Sequence, residues 1–243
     1  MKKLISLVLT LCMAFMLVFA MAEFSANVGD GVVTLKAGKS AMFVVTKGGN
    51  EYRFAAKKGQ TVTLPLTGGK GTYSIKEYVS IGGNRYKDGA AKKIKYGGDE
   101  FGAFKVPSSI VPYSANNQAI KKALELTAGL EEAAEKVGAI YAFIKGGFSY
   151  DYLRAAEVKD AARQVVDIDA IMEAKAGVCY DLSVLMVAMI RASGVPARLE
   201  IGEGHAWLRV YIDEQWKLID PAYRLQTGQA RDKSFAYRAE EMY

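Results

Sequence analysis

Residues 176–194 read AGVCYDLSVLMVAMIRASG, and residues 205–221 read HAWLRVYIDEQWKLIDP. The first stretch predicts a helix from Cys179 to about Ala192. Ala176-Gly177 ends the segment before it, Leu182, Leu185, Met186, Met189 and Ile190 recur at helical spacing on a buried side, and Gly194 stops it. The second stretch alternates with period two around Asp213-Glu214 and predicts a hairpin of strands His205–Ile212 and Gln215–Ile219, preceded by a strand from Ala197 to Ile201. A two-residue turn sets Ile212 opposite Gln215, Tyr211 opposite Trp216, Arg209 opposite Leu218 and Trp207 opposite Asp220. His205, Trp207, Arg209 and Tyr211 then share a face with Trp216, Leu218 and Asp220. His205 and Asp220 become diagonal neighbours within reach of a hydrogen bond. A slip of one residue would send them to opposite faces.

These residue types are the parts of a nucleophile, a base and an orienter. Cys179 stands at the first turn of its helix, where unpaired amides and the macrodipole favour an anion. The same amides offer the Cys179 N–H as one donor to an oxyanion. His205 is the only histidine in the chain; it would take the thiol proton, and Asp220 would fix its tautomer. A second oxyanion donor is expected upstream. Tyr150 is the candidate because its O–H can donate, the other reading being an aromatic of the core. Trp207 and Trp216 are expected to pack over the His–Asp pair and limit water access, and Trp207 and Tyr180 are the candidates for the substrate cleft.

Four linked motifs, Gly177-Val178-Cys179-Tyr180-Asp181, Ala192-Ser193-Gly194-Val195-Pro196-Ala197-Arg198, His205-Ala206-Trp207 and Trp216-Lys217-Leu218-Ile219-Asp220-Pro221, resemble the core of the transglutaminase-like superfamily in order and spacing. Tyr150-Asp151-Tyr152 is similar to that family's stretch before the core. The resemblance implies an α+β fold with a papain-like core, a helix bearing Cys packed on an antiparallel sheet bearing His and Asp. It also implies catalytic roles for Cys179, His205 and Asp220. Only Glu203-Gly204 separate Gly202 from His205, where many relatives carry a longer loop, so substrate preference is not carried over.

Outward from this core the texture changes. Asn116 to Ile144 carries two helical patterns, with Leu124, Leu126, Leu130, Ala133, Val137, Ile140, Tyr141 and Ile144 as the apolar face. An amphipathic stretch follows Tyr152, and a further helix spans Ile168 to Lys175. Upstream of Val106-Pro107 the chain is rich in Gly, Lys, Thr and Val. Short alternating runs at Val32–Leu35, Ala41–Val45 and Thr61–Leu64 are separated by Gly48-Gly49-Asn50, Gly68-Gly69-Lys70-Gly71 and Gly82-Gly83-Asn84. This spacing predicts a small all-β sandwich. Gly71-Thr72-Tyr73-Ser74-Ile75 and Gly83-Asn84-Arg85-Tyr86 are similar to the β-domain that precedes this core in secreted proteins of Gram-positive bacteria. The expected organisation is a signal peptide over 1–22, a β-sandwich-like domain over 23–108 and a transglutaminase-like catalytic domain over 109–243.

The leader is read from Met1-Lys2-Lys3, the apolar run Leu4 to Met21 and the Ala20-Met21-Ala22 end. Export and removal predict a secreted or cell-surface bacterial protein that meets a membrane only through this segment. Cys12 leaves with it, so Cys179 is the sole remaining thiol and forms no internal disulfide. The 32 basic and 26 acidic residues give a formal charge of +6, and loss of Lys2 and Lys3 leaves +4. The lysines are scattered, which argues against nucleic acid. One His and one Cys do not make a zinc site, and no phosphate-binding glycine loop occurs, so neither metal nor cofactor is expected. The expected reaction is hydrolysis of a peptide or amide bond in a protein or peptide substrate, wall peptide included. Glutamine transamidation or deamidation is the alternative chemistry, and a surface or cell-wall binding protein that has lost catalysis is the alternative class.

Overall fold

The alternating runs upstream of residue 97 fold as strands in the computed structural model, which describes residues 24–157, 165–223 and 236–243. The leader assigned to residues 1–22 lies outside the described residues, as does the later part of the amphipathic stretch after Tyr152. In chain order the strands are β1 (Ser25–Val28), β2 (Val32–Lys36), β3 (Ala41–Lys47), β4 (Asn50–Ala56), β5 (Thr61–Pro65), β6 (Gly71–Gly82) and β7 (Arg85–Tyr96). They form two antiparallel sheets ordered β1-β2-β5 and β4-β3-β6-β7. Period two turns Val33 and Leu35, Val62 and Leu64, Phe43 and Val45, and Tyr73 and Ile75 into one shared core between the sheets. This is the sandwich. The glycine clusters sit at its turns, with Gly48, Gly49, Gly82 and Gly83 all at positive φ.

The second part begins with α1 (Gln118–Leu126) and α2 (Ala133–Gly147), then β8 (Ser149–Tyr150), α3 (Tyr152–Glu157), α4 (Ile168–Ala174), β9 (Ala176–Gly177) and α5 (Cys179–Ala192). Four strands close the chain: β10 (Ala197–Gly202), β11 (His205–Ile212), β12 (Gln215–Ile219) and β13 (Glu241–Met242). They form an antiparallel sheet in the order β12-β11-β10-β13. β8 and β9 make a two-residue parallel bridge that pairs Tyr150 with Gly177. The fold is therefore mixed α+β, as expected.

Two packing details differ from the sequence expectation. The buried side assigned to α5 was too narrow, since every residue from Tyr180 to Arg191 is buried. A helix apolar all round has neighbours all round, here the β10–β11 sheet on one side and α1, α2 and α4 on the others. Leu124 leaves the apolar face and is 49% exposed, while Ala119, Ile120 and Ala123 fill the interface. The four-residue spacing from Ile120 to Leu124 alone did not reveal which side of α1 meets α5.

Both parts touch. Thr63 and Ser109 exchange hydrogen bonds, Ser109 N–H to Thr63 O at 2.7 Å and Thr63 N–H to Ser109 Oγ at 2.9 Å. Phe101 stacks against Tyr211 at 4.5 Å, and Tyr52 meets Tyr243 edge-on at 6.1 Å. The buried residues divide into a cluster between Phe24 and Tyr96 and another between Ile110 and Tyr243. We propose 23–108 and 109–243 as the corresponding domain limits.

The register of β11 with β12 is the expected one, with Ile212 opposite Gln215, Tyr211 opposite Trp216 and Arg209 opposite Leu218. Its turn places Asp213 and Glu214 at φ 52 and 59, the conformation of a type I′ turn. The turn between β10 and β11 is equally short, with Glu203 and Gly204 at φ 52 and 71. Holding a glutamate in the left-handed region is unfavourable by about 1 kcal/mol. Glu214→Gly is therefore expected to stabilise the protein by about that amount, read as a higher urea midpoint at an unchanged slope; a lower midpoint would show that the side chain supports the turn.

Candidate active site

Val178 caps α5 in an extended conformation and has no side-chain acceptor. The carboxylate of Asp181 reaches back instead and accepts the Val178 N–H at 3.2 Å. Asp181 is in turn gripped by Arg154, Nε to Oδ2 at 2.6 Å and Nη2 to Oδ1 at 3.1 Å. Gly177 makes room for this arrangement, because a Cβ there would come within 2.9 Å of the Asp181 Cβ. Cys179 is half-buried at the first helical position, where the backbone N–H has no acceptor inside the helix.

His205 opens β11 and is buried. Its Nε2 lies 2.9 Å from Asp220 Oδ2, and Cys179 is near enough to favour the charged imidazole. Asp220 stands just past β12, one step beyond the Leu208–Ile219 pair. Its Oδ1 accepts the amides of Ala222 at 3.0 Å and Tyr223 at 3.1 Å, and its Oδ2 also accepts the Tyr237 hydroxyl at 2.9 Å. Burial disfavours the charged imidazole, but the interactions with Asp220 and Cys179 outweigh it and hold the His205 pKa above 6.5.

Cys179, His205 and Asp220 are thus brought together. Tyr150 is partly buried, edge-on to Tyr152 at 5.1 Å, and its strand pairing sets it beside Gly177, two residues before the thiol. Trp207 is wholly buried behind the imidazole, its ring 6.0 Å from that of His205 at an interplanar angle of 26°. Trp216 does not cover the pair. It lies near the hairpin turn and packs against Phe101, Phe104 and Tyr211, with Arg198 over its ring at 4.4 Å. Tyr180 does not line a cleft either, because it is 3% exposed and points into the core, where burial raises its hydroxyl pKa. A helix that is buried all round leaves its second residue no route to solvent.

The sequence reading missed three groups. Glu200 is a buried carboxylate that accepts Trp207 Nε1 at 2.5 Å, Arg209 Nε at 3.0 Å and Arg198 Nε at 2.8 Å. An acid between Leu199 and Ile201, with arginines on the same and the facing strand, was the available signal. The Asp181–Arg154 pair had only the motif aspartate to announce it. Tyr237 had no signal, since it follows no periodic segment. A cavity of about 500 Å³ lies between α2 and β12, bordered by Val137, Tyr141, Ile219, Asp220, Tyr223 and Tyr237. It backs onto the carboxylate, and neither Cys179 nor His205 lines it.

Residues 120–221 match the family model of the transglutaminase-like superfamily core. No curated protein sequence matches the chain. Among solved structures, a candidate cysteine protease from Cytophaga hutchinsonii is 16% identical over 80% of this chain and 75% of its own, with a TM-score of 0.41. A TGase structure is 26% identical over 51% of this chain and 35% of its own, at a TM-score of 0.38. The periplasmic domain of TgpA from Pseudomonas aeruginosa, bound to ethylmercury, is 15% identical over 80% of this chain and 72% of its own, at 0.39. The chain carries a transglutaminase-like core domain over residues 120–221.

The raised pKa of His205 makes folding stability depend on pH. A group whose folded pKa exceeds its unfolded value adds stability that is complete below the unfolded pKa and is lost as pH rises through the folded one. The unfolding free energy of the native protein relative to His205→Gln is therefore expected to be larger at about pH 5 than at about pH 9. Urea titrations at both pH values check this, and an equal difference at both would show that the pair contributes no proton linkage.

Proposed function

We propose that the protein is a secreted cysteine-dependent acyl-transfer enzyme that hydrolyses peptide or amide bonds through Cys179, His205 and Asp220. The observation that carries this reading is the single buried imidazole hydrogen-bonded to Asp220, with a half-buried thiol at a helix start acting on it from α5. His205 takes the thiol proton as sulfur bonds to the substrate carbonyl carbon. The carbonyl oxygen becomes an oxyanion, met by the Cys179 N–H and by a donor from the Tyr150 strand. The intermediate collapses, the C–N bond breaks, and His205 returns the proton to the departing amine. A thioester remains. Water, losing its proton to the neutral imidazole, attacks that thioester and releases a carboxylic acid and the free thiol. If an amine attacks instead, the same site is a transamidase, so the acceptor alone separates the two chemistries. Peptides, those of a bacterial wall among them, are the proposed substrates. Export through residues 1–22 is the proposed route to them. Among the described residues no helix is long and apolar enough to cross a membrane.

The test uses p-nitrophenyl acetate as acyl donor and iodoacetamide as a thiol probe, on protein lacking residues 1–22, in which Cys179 is the only thiol. Cys179→Ala is expected to abolish p-nitrophenol release. His205→Ala and Asp220→Asn are expected to slow it by about a hundredfold to ten-thousandfold. His205→Ala is expected to slow alkylation of Cys179 as well. A thiol that is alkylated only after unfolding, or at the same rate with and without His205, would overturn catalysis and leave the binding-protein reading. Adding a primary amine then shows whether water or amine is the preferred acceptor.

A further inference from the structure

The segment 236–243 returns from the far end of the chain and ties itself to the site at several points. β13 pairs with β10 through Glu241 and Met242. Leu199 and Tyr243 exchange backbone hydrogen bonds at 2.7 and 2.8 Å, and Arg191 Nη2 donates to Tyr243 O at 3.1 Å. Gly202 permits the crossing, because a Cβ there would lie 2.0 Å from Arg238 O. So fixed, the segment delivers Tyr237, itself at φ 47, to the carboxylate of Asp220. The hydroxyl donates to Oδ2, the oxygen that faces His205. The ring meets Trp207 edge-on at 5.4 Å and His205 at 6.5 Å.

We propose that Tyr237 is a positioning residue of the acyl-transfer site, its hydroxyl holding the Asp220 carboxylate in the plane of the imidazole and its ring wedging Trp207 and His205 in place. This rests on the function proposed above. Asp220 Oδ1 already receives two backbone amides, so the carboxylate is pinned on that side and Tyr237 completes the other. The hydroxyl also withdraws charge from Oδ2 and so limits how strongly Asp220 holds the proton on the imidazole. A base held too firmly as imidazolium does not accept the proton of attacking water. Among the described residues, the groups that face His205 are Asp220 beyond β12, Cys179 on α5 and Tyr237 from segment 236–243. Trp207 on β11 relays Glu200 of β10, whose charge is already met by Arg198 and Arg209.

Tyr237→Phe removes the hydroxyl and keeps the ring, so the packing against Trp207 survives. Because His205 is the only histidine, its ring protons give a single NMR titration. The expected result in Tyr237→Phe is a His205 titration moved to higher pH, with turnover of p-nitrophenyl acetate reduced about tenfold, the range for a hydrogen bond to a charged group. Tyr86→Phe, in the β-sandwich, should change neither. A His205 titration that is unchanged or lowered in Tyr237→Phe overturns the proposal. So does a raised titration with unchanged turnover, which would show that the hydroxyl tunes the imidazole without serving the acyl-transfer site. If the native protein shows no turnover at all, the acyl-transfer reading falls by itself, while the titration still decides whether Tyr237 controls the Asp220–His205 pair. A thermal melt of Tyr237→Phe close to that of the native protein shows that the titration reports the site and not unfolding.

Discussion

The register of the β10–β11–β12 meander is the constraint on which the site depends. Side chains on a strand alternate faces, so His205 meets Asp220 only if Ile212 pairs with Gln215 and the count is kept to the end of the hairpin. The neighbouring hairpin adds a second requirement, since Glu200 pairs with Trp207 and thereby puts a carboxylate against the indole N–H. Both registers are set by two-residue turns that need positive φ at both positions. Short turns leave no slack for slippage, and this is the structural consequence of the tight Glu203-Gly204 connection. Cys179 comes from another element, so the remaining requirement is that α5 lie against this sheet at one height. Its burial on every side enforces that.

Buried charge is used here as a set of fasteners. Arg191 is wholly buried, and burial lowers its pKa to about 10, which still leaves it charged at neutral pH. Among the described residues no Asp or Glu side chain accepts its hydrogen bonds. Instead its nitrogens donate to Ala197 O at 2.8 Å, Val106 O at 3.0 Å and Tyr243 O at 3.1 Å. These main-chain oxygens belong to β10, to the connection after the sandwich and to the end of the described chain. One side chain at the far end of α5 thus ties three separate segments. Desolvating a guanidinium is costly, and the cost is offset only because its donors are satisfied in fixed directions. Such a group contributes more to a single geometry than to net stability.

Much of this was legible in the sequence because the site sits on periodic elements. The bounds of α5, the three strands after it and the hairpin register follow from apolar spacing, Gly177 and Gly194, and a two-residue turn. The β-sandwich followed from its glycine punctuation, although the twelve-residue strands β6 and β7 were hidden by lysines on both faces of β7. What escaped were contacts with no local signal. Tyr237 reaches Asp220 across 17 positions, and Trp216 is captured by Phe101 and Phe104 from the segment after β7. Tyr180 looked accessible because it follows Cys179, yet the side of α5 that it occupies faces the core. Period and propensity report which face is apolar, and they carry no information on which distant segment will cover it.

The start of α5 shows how helix stability yields to the chemistry proposed for it. The usual N-cap is Ser, Thr, Asp or Asn, whose side chain takes up an amide of the first turn. Val178 cannot do this. A capping hydroxyl at that position would take up the Tyr180 or Asp181 amide and place a polar group beside Cys179. The helix is instead secured from behind, with Asp181 binding the amide of Val178 itself and leaving the Cys179 N–H untouched. That solution brings a negative charge to within one turn of the thiol, where it would oppose an anion forming at Cys179. Arg154 cancels it with a two-pronged ion pair. The unusual cap, the glycine that admits the aspartate and the arginine that neutralises it are therefore one device, and each part is intelligible only in the presence of the other two.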